Sequence, residues 1–212
     1  MVKKIAFLLL MVLFTGILSG CWSRKELTEI AIVLGAGNIW RGKDGLIRVT
    51  VQIARPSVFA AGGEAGAKGG ESPASWVVFA EGRTIEEAER HLATKVPRDM
   101  YWGHSVILVL GEEMAKKGTR LVTDFFERSR QPRETMWFMV TKGEAKDFLQ
   151  TYSVLIKTSA QAAGFLTRMR TGISVQIWEF AEMLASKGVQ PVTTRVEAKE
   201  AGVTPGPDQE KK

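Results

Sequence analysis

The alternation of apolar and polar residues predicts two neighbouring strands near the start of the chain. Residues 30–39 (IAIVLGAGNI) form an apolar run that includes two glycines, which indicates a buried strand. Apolar and polar residues then alternate along residues 45–54 (GLIRVTVQIA), where the polar members are Arg48, Thr50 and Gln52. We expect a strand with one buried face and one face in water. The glycines of RGKDG predict a turn between the two segments, and therefore a β-hairpin.

Further along the chain, strand patterns alternate with helical ones. One helix begins at the capping signal Thr84–Glu87, carries a single apolar stripe and ends at Pro97. Another amphipathic helix starts near Ile177 and ends at Gly188 and Pro191. The remaining predicted elements are strands at residues 75–82, 104–112 and 135–143 and helices at residues 112–117, 121–126 and 144–150. This mixture predicts the α+β class, with a mixed β-sheet flanked by helices.

Two segments lack the large apolar residues that a folded element needs. Residues 60–75 are rich in glycine and predict a flexible surface loop. Residues 198–212 are polar, contain two prolines and end in DQEKK, so they predict a disordered tail. We therefore expect one domain at residues 21–197, preceded by a separate N-terminal segment at residues 1–20.

Composition narrows the classes of function. The 212 residues are 45% hydrophobic and 25% charged, which is typical of a globular protein. The net charge of +6 is mild and no long run of Lys or Arg occurs, so we do not expect nucleic-acid binding. A single cysteine, Cys21, excludes an intramolecular disulfide framework and a cysteine-rich zinc site.

The chain carries no pattern typical of catalysis. His91 and His104 lie on different predicted elements, without cysteines or clustered carboxylates beside them, so we interpret both as structural or solvent-facing. The sequence GHSVI around Ser105 breaks the G-x-S-x-G pattern and leads into a strand. Gly35 and Gly37 lack the third glycine and the following helix of a dinucleotide-binding fingerprint. We expect a protein that is not an enzyme and that has no cofactor or metal.

The N-terminus combines a basic start with an apolar segment. Lys3 and Lys4 precede residues 5–18, which would span about 21 Å as a helix, less than the ~30 Å of a hydrocarbon core. This predicts a secretory signal peptide. The segment ends in LSGC, which resembles the lipobox of bacterial lipoproteins and implies cleavage between Gly20 and Cys21, with a diacylglyceryl group on the Cys21 thiol. The alternative is cleavage elsewhere, with Cys21 an ordinary cysteine.

One connection concentrates aromatic and charged residues. The sequence VPRDMYWGH places Arg98, Tyr101 and His104 between the end of a helix and a buried strand. Such groups on a loop can bind a partner. Alternatively, the aromatic side chains fold back and cover the edge of the sheet. The sequence pattern supports both interpretations.

Three longer stretches carry a family resemblance. Cys21-Trp22 followed by SRKELTEIAIVLGAG, then VTVQIARPSVFAAGG, and finally the sequence from EGRTIEEAERHLATKVP to GEAKDFL resemble the N-terminal domain of the Ger(x)C family. Members of this family are the lipoprotein C subunits of spore germinant receptors. The resemblance covers residues 21–150 well and residues 151–197 more loosely. Ser23 departs from the family pattern, in which Asp is usual at that position.

The resemblance implies a non-enzymatic germination protein on the outer face of the spore inner membrane, anchored through Cys21. It would assemble with two integral membrane partners, the A and B subunits, so that nutrients trigger germination. Our candidate contact residues are Arg83, Arg98, Tyr101 and His104. Because members carry a C-terminal domain that these 212 residues lack, we expect a truncated paralogue, a split gene or a gene fragment. The alternative function is an extracytoplasmic solute-binding or small enzymatic lipoprotein.

Overall fold

The computed structural model describes residues 1–7, 11, 26, 28–40, 44–56, 74–129, 131–151 and 156–198. It divides into two compact units, residues 1–30 and residues 31–212. In the first unit, residues 2–7 are helical. No helix within the described ranges is both long enough and apolar enough to cross a membrane. Cys21 with its predicted cleavage site, most of the predicted loop and residues 199–212 of the predicted tail lie outside the described residues.

A mixed β-sheet organises the larger unit. Its seven strands are β1 (Ile30–Trp40), β2 (Ile47–Ala54), β3 (Ser75–Gly82), β4 (Asp99–Tyr101), β5 (Ile107–Gly111), β6 (Trp137–Thr141) and β7 (Thr194–Val196). The strand order is β3-β2-β1-β5-β6-β7, and β4 pairs with β1. The strands β3, β2 and β1 pair in antiparallel fashion, whereas β1, β5, β6 and β7 pair in parallel. The predicted hairpin, the mixed sheet and the α+β class are confirmed.

Among the described residues of this unit, six helices pack on the sheet. They are α1 (Ile85–Lys95), α2 (Glu112–Lys117), α3 (Arg120–Arg128), α4 (Ala145–Gln150), α5 (Ser159–Arg168) and α6 (Ile177–Ala185). The predicted start of α1 is confirmed, because the Glu87 N–H donates to Thr84 Oγ1 at 3.1 Å. The Glu87 carboxylate accepts from the backbone N–H of Arg83 at 2.7 Å, not from that of Thr84 as a capping box requires. The predicted interruption at Gly118 is also observed, with φ +122°.

The first face of the sheet carries an apolar core. Alternate residues of β2 point to this face and are almost completely buried, as the sequence pattern predicts. Helices α1, α3 and α6 cover it, and their contributions to the core are Ile85, Ala88, Leu92, Val122, Phe126, Ile177 and Phe180. At the centre, the Phe138 and Phe180 ring centroids lie 4.3 Å apart.

The second face of the sheet corrects our prediction for β2. Arg48, Thr50 and Gln52 were expected in water, yet they are 6%, 0% and 1% exposed. Helices α4 and α5 cover this face and build a second apolar cluster with β5 and β6. The prediction was wrong because polar alternation marks which side chains share a face, and carries no information on whether a helix elsewhere in the chain covers that face.

Small residues allow the two covering helices to approach the sheet closely. A Cβ atom at Gly37 would lie 2.6 Å from the Ala145 Cβ atom of α4, and one at Gly35 would lie 2.9 Å from the Ala160 Cβ atom of α5. Gly35 and Gly37 therefore have a packing role in β1.

Other differences concern short or weakly patterned elements. The helix α5 and the short strands β4 and β7 were not predicted. The strand expected at residues 104–112 begins only at Ile107, so His104 lies in the connection that precedes it. Ser75, placed at the end of the predicted loop, is the first residue of β3.

Candidate functional site

The predicted partner-contact residues occupy the two ends of α1. Arg98, Tyr101 and His104 lie on the connection that leaves α1 and passes through β4 toward β5. Arg83 precedes α1 and is therefore separated from them by a helix of 11 residues, about 16 Å long. All four side chains are exposed. The structure gathers three of the predicted residues on one connection and leaves Arg83 at the opposite end of the helix.

Within this connection, Tyr101 and His104 form an aromatic pair. Their ring centroids are 5.5 Å apart and their planes meet at 67°, an edge-to-face arrangement. Tyr101 is 42% exposed although it is a large aromatic residue. The pair thus presents one apolar ring, one phenol hydroxyl and one imidazole to the solvent.

Buried neighbours hold the Tyr101–His104 pair in place. Trp102 is 3% exposed and packs edge-to-face on Phe126, with the ring centroids 6.4 Å apart. The Ser105 N–H donates to Trp102 O at 2.9 Å, and Ser105 Oγ donates to Val33 O in β1 at 3.2 Å. The two interpretations of this connection therefore apply to different residues, since Trp102 folds inward while Tyr101 and His104 face outward.

Glu89 is a residue of this region that sequence reasoning missed. Burial raises the pKa of its half-buried carboxyl group, and the neighbouring Glu86 carboxylate adds to the rise. The Trp102 indole opposes it and lowers the Glu89 pKa, although the Trp102 Nε1–H has no partner of normal hydrogen-bond geometry within the described residues. The sequence does contain a sign of this burial. Glu89 follows Ile85 by four residues and therefore lies directly beside the apolar stripe of α1.

A cluster of charged side chains surrounds Phe79 of β3, the edge strand of the sheet. Arg48 pairs with Glu81 and with Glu144, both at 2.9 Å, and its guanidinium carbon lies 4.7 Å from the centroid of the Phe79 ring. Lys95 Nζ donates to Phe79 O at 2.8 Å. These contacts satisfy carboxylates and a backbone carbonyl at the edge of the sheet, so the cluster stabilises the fold.

His91 and Ser105, the residues considered for catalysis, both make structural contacts. His91 is exposed, and its Nδ1 atom lies 2.7 Å from the carbonyl oxygen of Glu81. Ser105 is 6% exposed and donates its hydroxyl hydrogen to a backbone carbonyl. The described part of the chain contains no group of three or more His, Cys, Asp or Glu side chains that could hold a metal ion.

Several grooves of the described residues have volumes between 340 and 460 Å³, and the most apolar of them could accept a small molecule. This groove has a volume of 370 Å³ and lies between α5, the segment 171–174 and β7. Leu166 and Ile173 contribute apolar side chains, while Arg195 and Glu197 contribute charged ones. Apolar side chains with a few charged groups are typical of a pocket that binds a small molecule.

Comparison with known proteins places this domain. Residues 23–198 match the family model described as spore germination protein N-terminal domain. The chain is 34% identical over 200 residues to "Putative spore germination protein YfkR" and 31% identical over 199 residues to "Spore germination protein KC", both of Bacillus subtilis (strain 168). A third relative from the same organism, "Spore germination protein A3", is 25% identical over 142 residues.

These alignments cover most of this chain but only part of each relative. The first two cover 93% and 91% of this chain but 51% and 48% of the relatives, so the chain spans about half the length of the curated relatives it matches. No solved structure matches this chain. The match over residues 23–198, together with these identities, shows that the chain belongs to the spore germination protein N-terminal domain family.

Proposed function

We propose that this protein is a non-enzymatic, lipid-anchored subunit of a spore germinant receptor that works with integral membrane A and B subunits. The observation that carries the proposal is the family match over residues 23–198, joined to relatives that are named as spore germination proteins. In this role the domain acts by holding partners together at the outer face of the spore inner membrane. Nutrient binding to the assembled receptor then starts germination.

The position of Cys21 supports the proposed anchor. The cysteine directly follows LSG at the end of an apolar segment, and the family match begins two residues later, at residue 23. Two acyl chains hold a protein stably on a bilayer, whereas one does so only marginally. An anchor at this point keeps the folded domain near its membrane partners and raises its effective concentration there.

The anchor can be tested by removing the Cys21 thiol, to which the lipid would be attached. We expect Cys21→Ala to abolish incorporation of an alkyne-labelled fatty acid, to lower the protein in the spore membrane fraction at least tenfold and to prevent nutrient-triggered germination. Cys21→Ser is the matched variant, because it keeps a small polar side chain but has no thiol to alkylate. Lipid labelling that persists in either variant, or an unlabelled wild-type chain, would contradict the anchor.

The connection after α1 supports a partner surface that is separate from the anchor. Tyr101 and His104 are exposed on a segment that Trp102 and Ser105 hold in place, so binding there costs little ordering of the chain. Arg98 adds a positive charge on the same connection. Arg83 belongs to the proposed surface as well, at the other end of α1.

Co-purification of the membrane subunits with this protein tests the proposed surface. We expect Arg98→Glu and Arg83→Glu each to lower co-purification of the membrane subunits from spores and to slow germination, with unchanged thermal unfolding of the protein. Lys187→Glu reverses an exposed charge beyond α6 and serves as the control. If the variants with Arg98→Glu and Arg83→Glu germinate normally, the proposed contacts are wrong. An effect of only one variant would confine the surface to that end of α1.

The 370 Å³ groove favours a second candidate, an extracytoplasmic solute-binding or small enzymatic lipoprotein. A screen of amino acids and sugars for thermal stabilisation of the full chain separates the two functions. A solute that raises the unfolding temperature, and loses its effect in Arg195→Ala, would favour this candidate. No stabilisation, together with recovery of membrane subunits, would favour the receptor subunit.

A further inference from the structure

The end of α5 exposes large apolar side chains in one place. Phe165, Leu166, Met169 and Ile173, which we call the α5 patch, are 51%, 55%, 76% and 53% exposed. The opposite face of α5 packs on the sheet through small residues, including Ala160 and Ala163. The helix therefore buries its small residues and presents its largest ones to the surroundings, the reverse of an ordinary surface helix.

The charged residues near the α5 patch in the sequence are all cationic. From residue 148 to residue 178 the sequence contains no Asp or Glu, while Lys157, Arg168 and Arg170 are present. The carboxylate of Glu197, which lines the groove beside Leu166 and Ile173, pairs with Lys142 at 3.7 Å. The Arg168 guanidinium carbon lies 5.8 Å from the centroid of the Phe165 ring. Arg170 has φ +56°, a left-handed conformation that turns the chain immediately after the helix. Cationic side chains thus border the apolar ones directly.

The carboxylate that faces the same depression as these arginines already has a partner. Glu179 lines a cavity together with Arg168 and Arg170. Its Oε2 atom accepts from the backbone N–H of Gln176 at 2.7 Å, and it completes the capping box of α6. No ion pair between Arg168 or Arg170 and a carboxylate occurs among the residues that the structure describes.

Leu121 is an exposed apolar residue that lies among charges of both signs. It is 52% exposed on α3, where Arg128 pairs with Asp124 at 2.8 Å. Its helix packs on the first face of the sheet, whereas α5 packs on the second. Leu121 therefore matches the α5 patch in exposure and differs from it in charge and in location.

We propose that the α5 patch contacts the membrane at a second place besides the lipid anchor at Cys21. The bilayer that it contacts contains anionic lipids. Exposed Phe, Leu, Met and Ile side chains can enter the interface of a bilayer, while neighbouring arginines keep their guanidinium groups at the lipid phosphates. The absence of acidic residues over residues 148–178 removes the repulsion that anionic headgroups would otherwise meet.

The contact extends the proposed function and rests on it in one respect. A lipid anchor at Cys21 would bring the domain to the bilayer, and the α5 patch would then fix which side faces the lipid. The patch by itself is expected to bind weakly, because only a few side chains and cations contribute. Held near the surface by the N-terminal segment, a weak contact is sufficient to set an orientation.

A label at a single position tests the contact in the full chain. With Cys21→Ala, Met169→Cys supplies the one thiol of the protein for an environment-sensitive fluorophore, and Leu121→Cys supplies the matched control. Both chains are reconstituted into vesicles of neutral phosphatidylcholine alone or mixed with anionic phosphatidylglycerol. We expect a blue shift and quenching by brominated lipid for the label at position 169 in anionic vesicles, and a water-exposed label at position 121.

Charge removal gives the second readout. Arg168→Gln and Arg170→Gln should each weaken the lipid-dependent shift about fivefold, as expected for one cation near an anionic surface. Circular dichroism and thermal unfolding confirm that each labelled chain is folded. Because Cys21→Ala removes the proposed lipid anchor, each labelled chain carries an N-terminal His tag, and a trace of nickel-chelating lipid in every vesicle holds the chain at the surface. The readout then reports the contact at the label and not the strength of the attachment. Failure of this contact is thus distinguishable from failure of the Cys21 anchor, which fatty-acid labelling reports.

Three results would overturn the proposal. The first is a label at position 169 that stays exposed to water in anionic vesicles. The second is equal lipid contact at positions 121 and 169, which would indicate non-specific adsorption. The third is shielding of position 169 without vesicles that rises with protein concentration, which would assign the α5 patch to a second copy of the chain.

Discussion

The two faces of the central sheet are buried by different means. On the first face, apolar residues of β2 pack against α1, α3 and α6, as the sequence pattern predicts. On the second face, β2 contributes Arg48, Thr50 and Gln52, and these polar residues are as well buried as their apolar neighbours. The first face is held mainly by apolar packing, whereas near β2 the second face also depends on matched donors and acceptors.

Gln52 shows how the second face satisfies its polar groups. Its Nε2–H₂ group donates to Leu149 O in α4 at 2.8 Å, and its Oε1 atom accepts from the Ala160 N–H of α5 at 3.0 Å. One side chain therefore joins a strand to two helices. The comparison teaches that alternation assigns a residue to a face, while burial depends on which helix later covers that face.

The largest effect is expected from a cavity in the first face. Phe138 is 1% exposed and stacks on Phe180, so Phe138→Ala should lower the free energy of unfolding by about 3–5 kcal/mol. Urea unfolding followed by tryptophan fluorescence measures it. Phe165→Ala removes the same ring from a site that is 51% exposed and should change stability by less than about 1 kcal/mol. Equal effects of the two variants would contradict the assigned core.

On the second face, loss of the Arg48 charge is the next largest change. Arg48→Met removes the guanidinium group that contacts Glu81 and Glu144, and buried pairs broken in this way typically lose about 3–5 kcal/mol. Since the Glu81 and Glu144 side chains are 26% and 45% exposed, we expect about 2 kcal/mol.

A surface pair provides the control for this variant. Arg128→Met breaks the exposed Arg128–Asp124 pair, which has the same kind of contact at 2.8 Å, and should cost less than about 1 kcal/mol. Comparable losses from the two arginine variants, measured by urea unfolding, would mean that burial adds nothing to the Arg48 network.

Removal of the Gln52 amide should have an effect of about the same size. Gln52→Leu keeps the volume but leaves the Ala160 N–H without its acceptor, at a cost of about 1–3 kcal/mol. Thr50→Val is the control on the same strand, because Thr50 Oγ1 is buried and makes no hydrogen bond within the described residues. That substitution should be neutral or slightly stabilising. If Thr50→Val destabilises the protein as much as Gln52→Leu does, hydrogen bonding is not what holds the second face.

Elements with strong local patterns could be predicted from the sequence. The hairpin β1–β2, the start of α1 at Thr84 and the interruption at Gly118 follow from side-chain alternation, capping chemistry and glycine conformation. Helix α5 was missed because it buries Ala160 and Ala163 and exposes Phe165 and Leu166, so its pattern does not indicate a core-facing stripe. Gln52 was placed in water because its cover by Ala160 of α5 was missed, and Arg48 because the predicted helix α4 gave no sign in the sequence that it would pack on β2.

The candidate site was predicted only in part, for a related reason. Aromatic and charged residues identified the connection after α1, but the sequence could not distinguish the buried Trp102 from the exposed Tyr101. That difference depends on β4, a three-residue strand that pairs with the distant β1. Such pairing leaves no periodic signal in the sequence, because three residues complete little more than one period of a strand.

The smallest predicted effect is a pH dependence of stability on the first face of the sheet. Glu89 is its source, since this residue lies on α1 beside the buried Trp102. Burial raises the pKa of the Glu89 carboxyl, so between its ordinary and its raised pKa the folded protein binds more protons than the unfolded one. Stability contributed by Glu89 is therefore lost as the pH rises through that window. Glu89→Gln should remove this loss, which is well below about 1 kcal/mol for a half-buried group.

The Trp102 indole provides the decisive variant, since it opposes the rise in the Glu89 pKa. Trp102→Phe lowers stability at every pH by disturbing its packing on Phe126, but it should also steepen the loss between acidic and neutral pH. In the double variant with Glu89→Gln, the packing loss should remain and the added pH dependence should vanish. Unfolding temperatures recorded from pH 4 to pH 7.5 for the four chains measure both quantities. An added pH slope that survives in the double variant would assign it to a group other than Glu89.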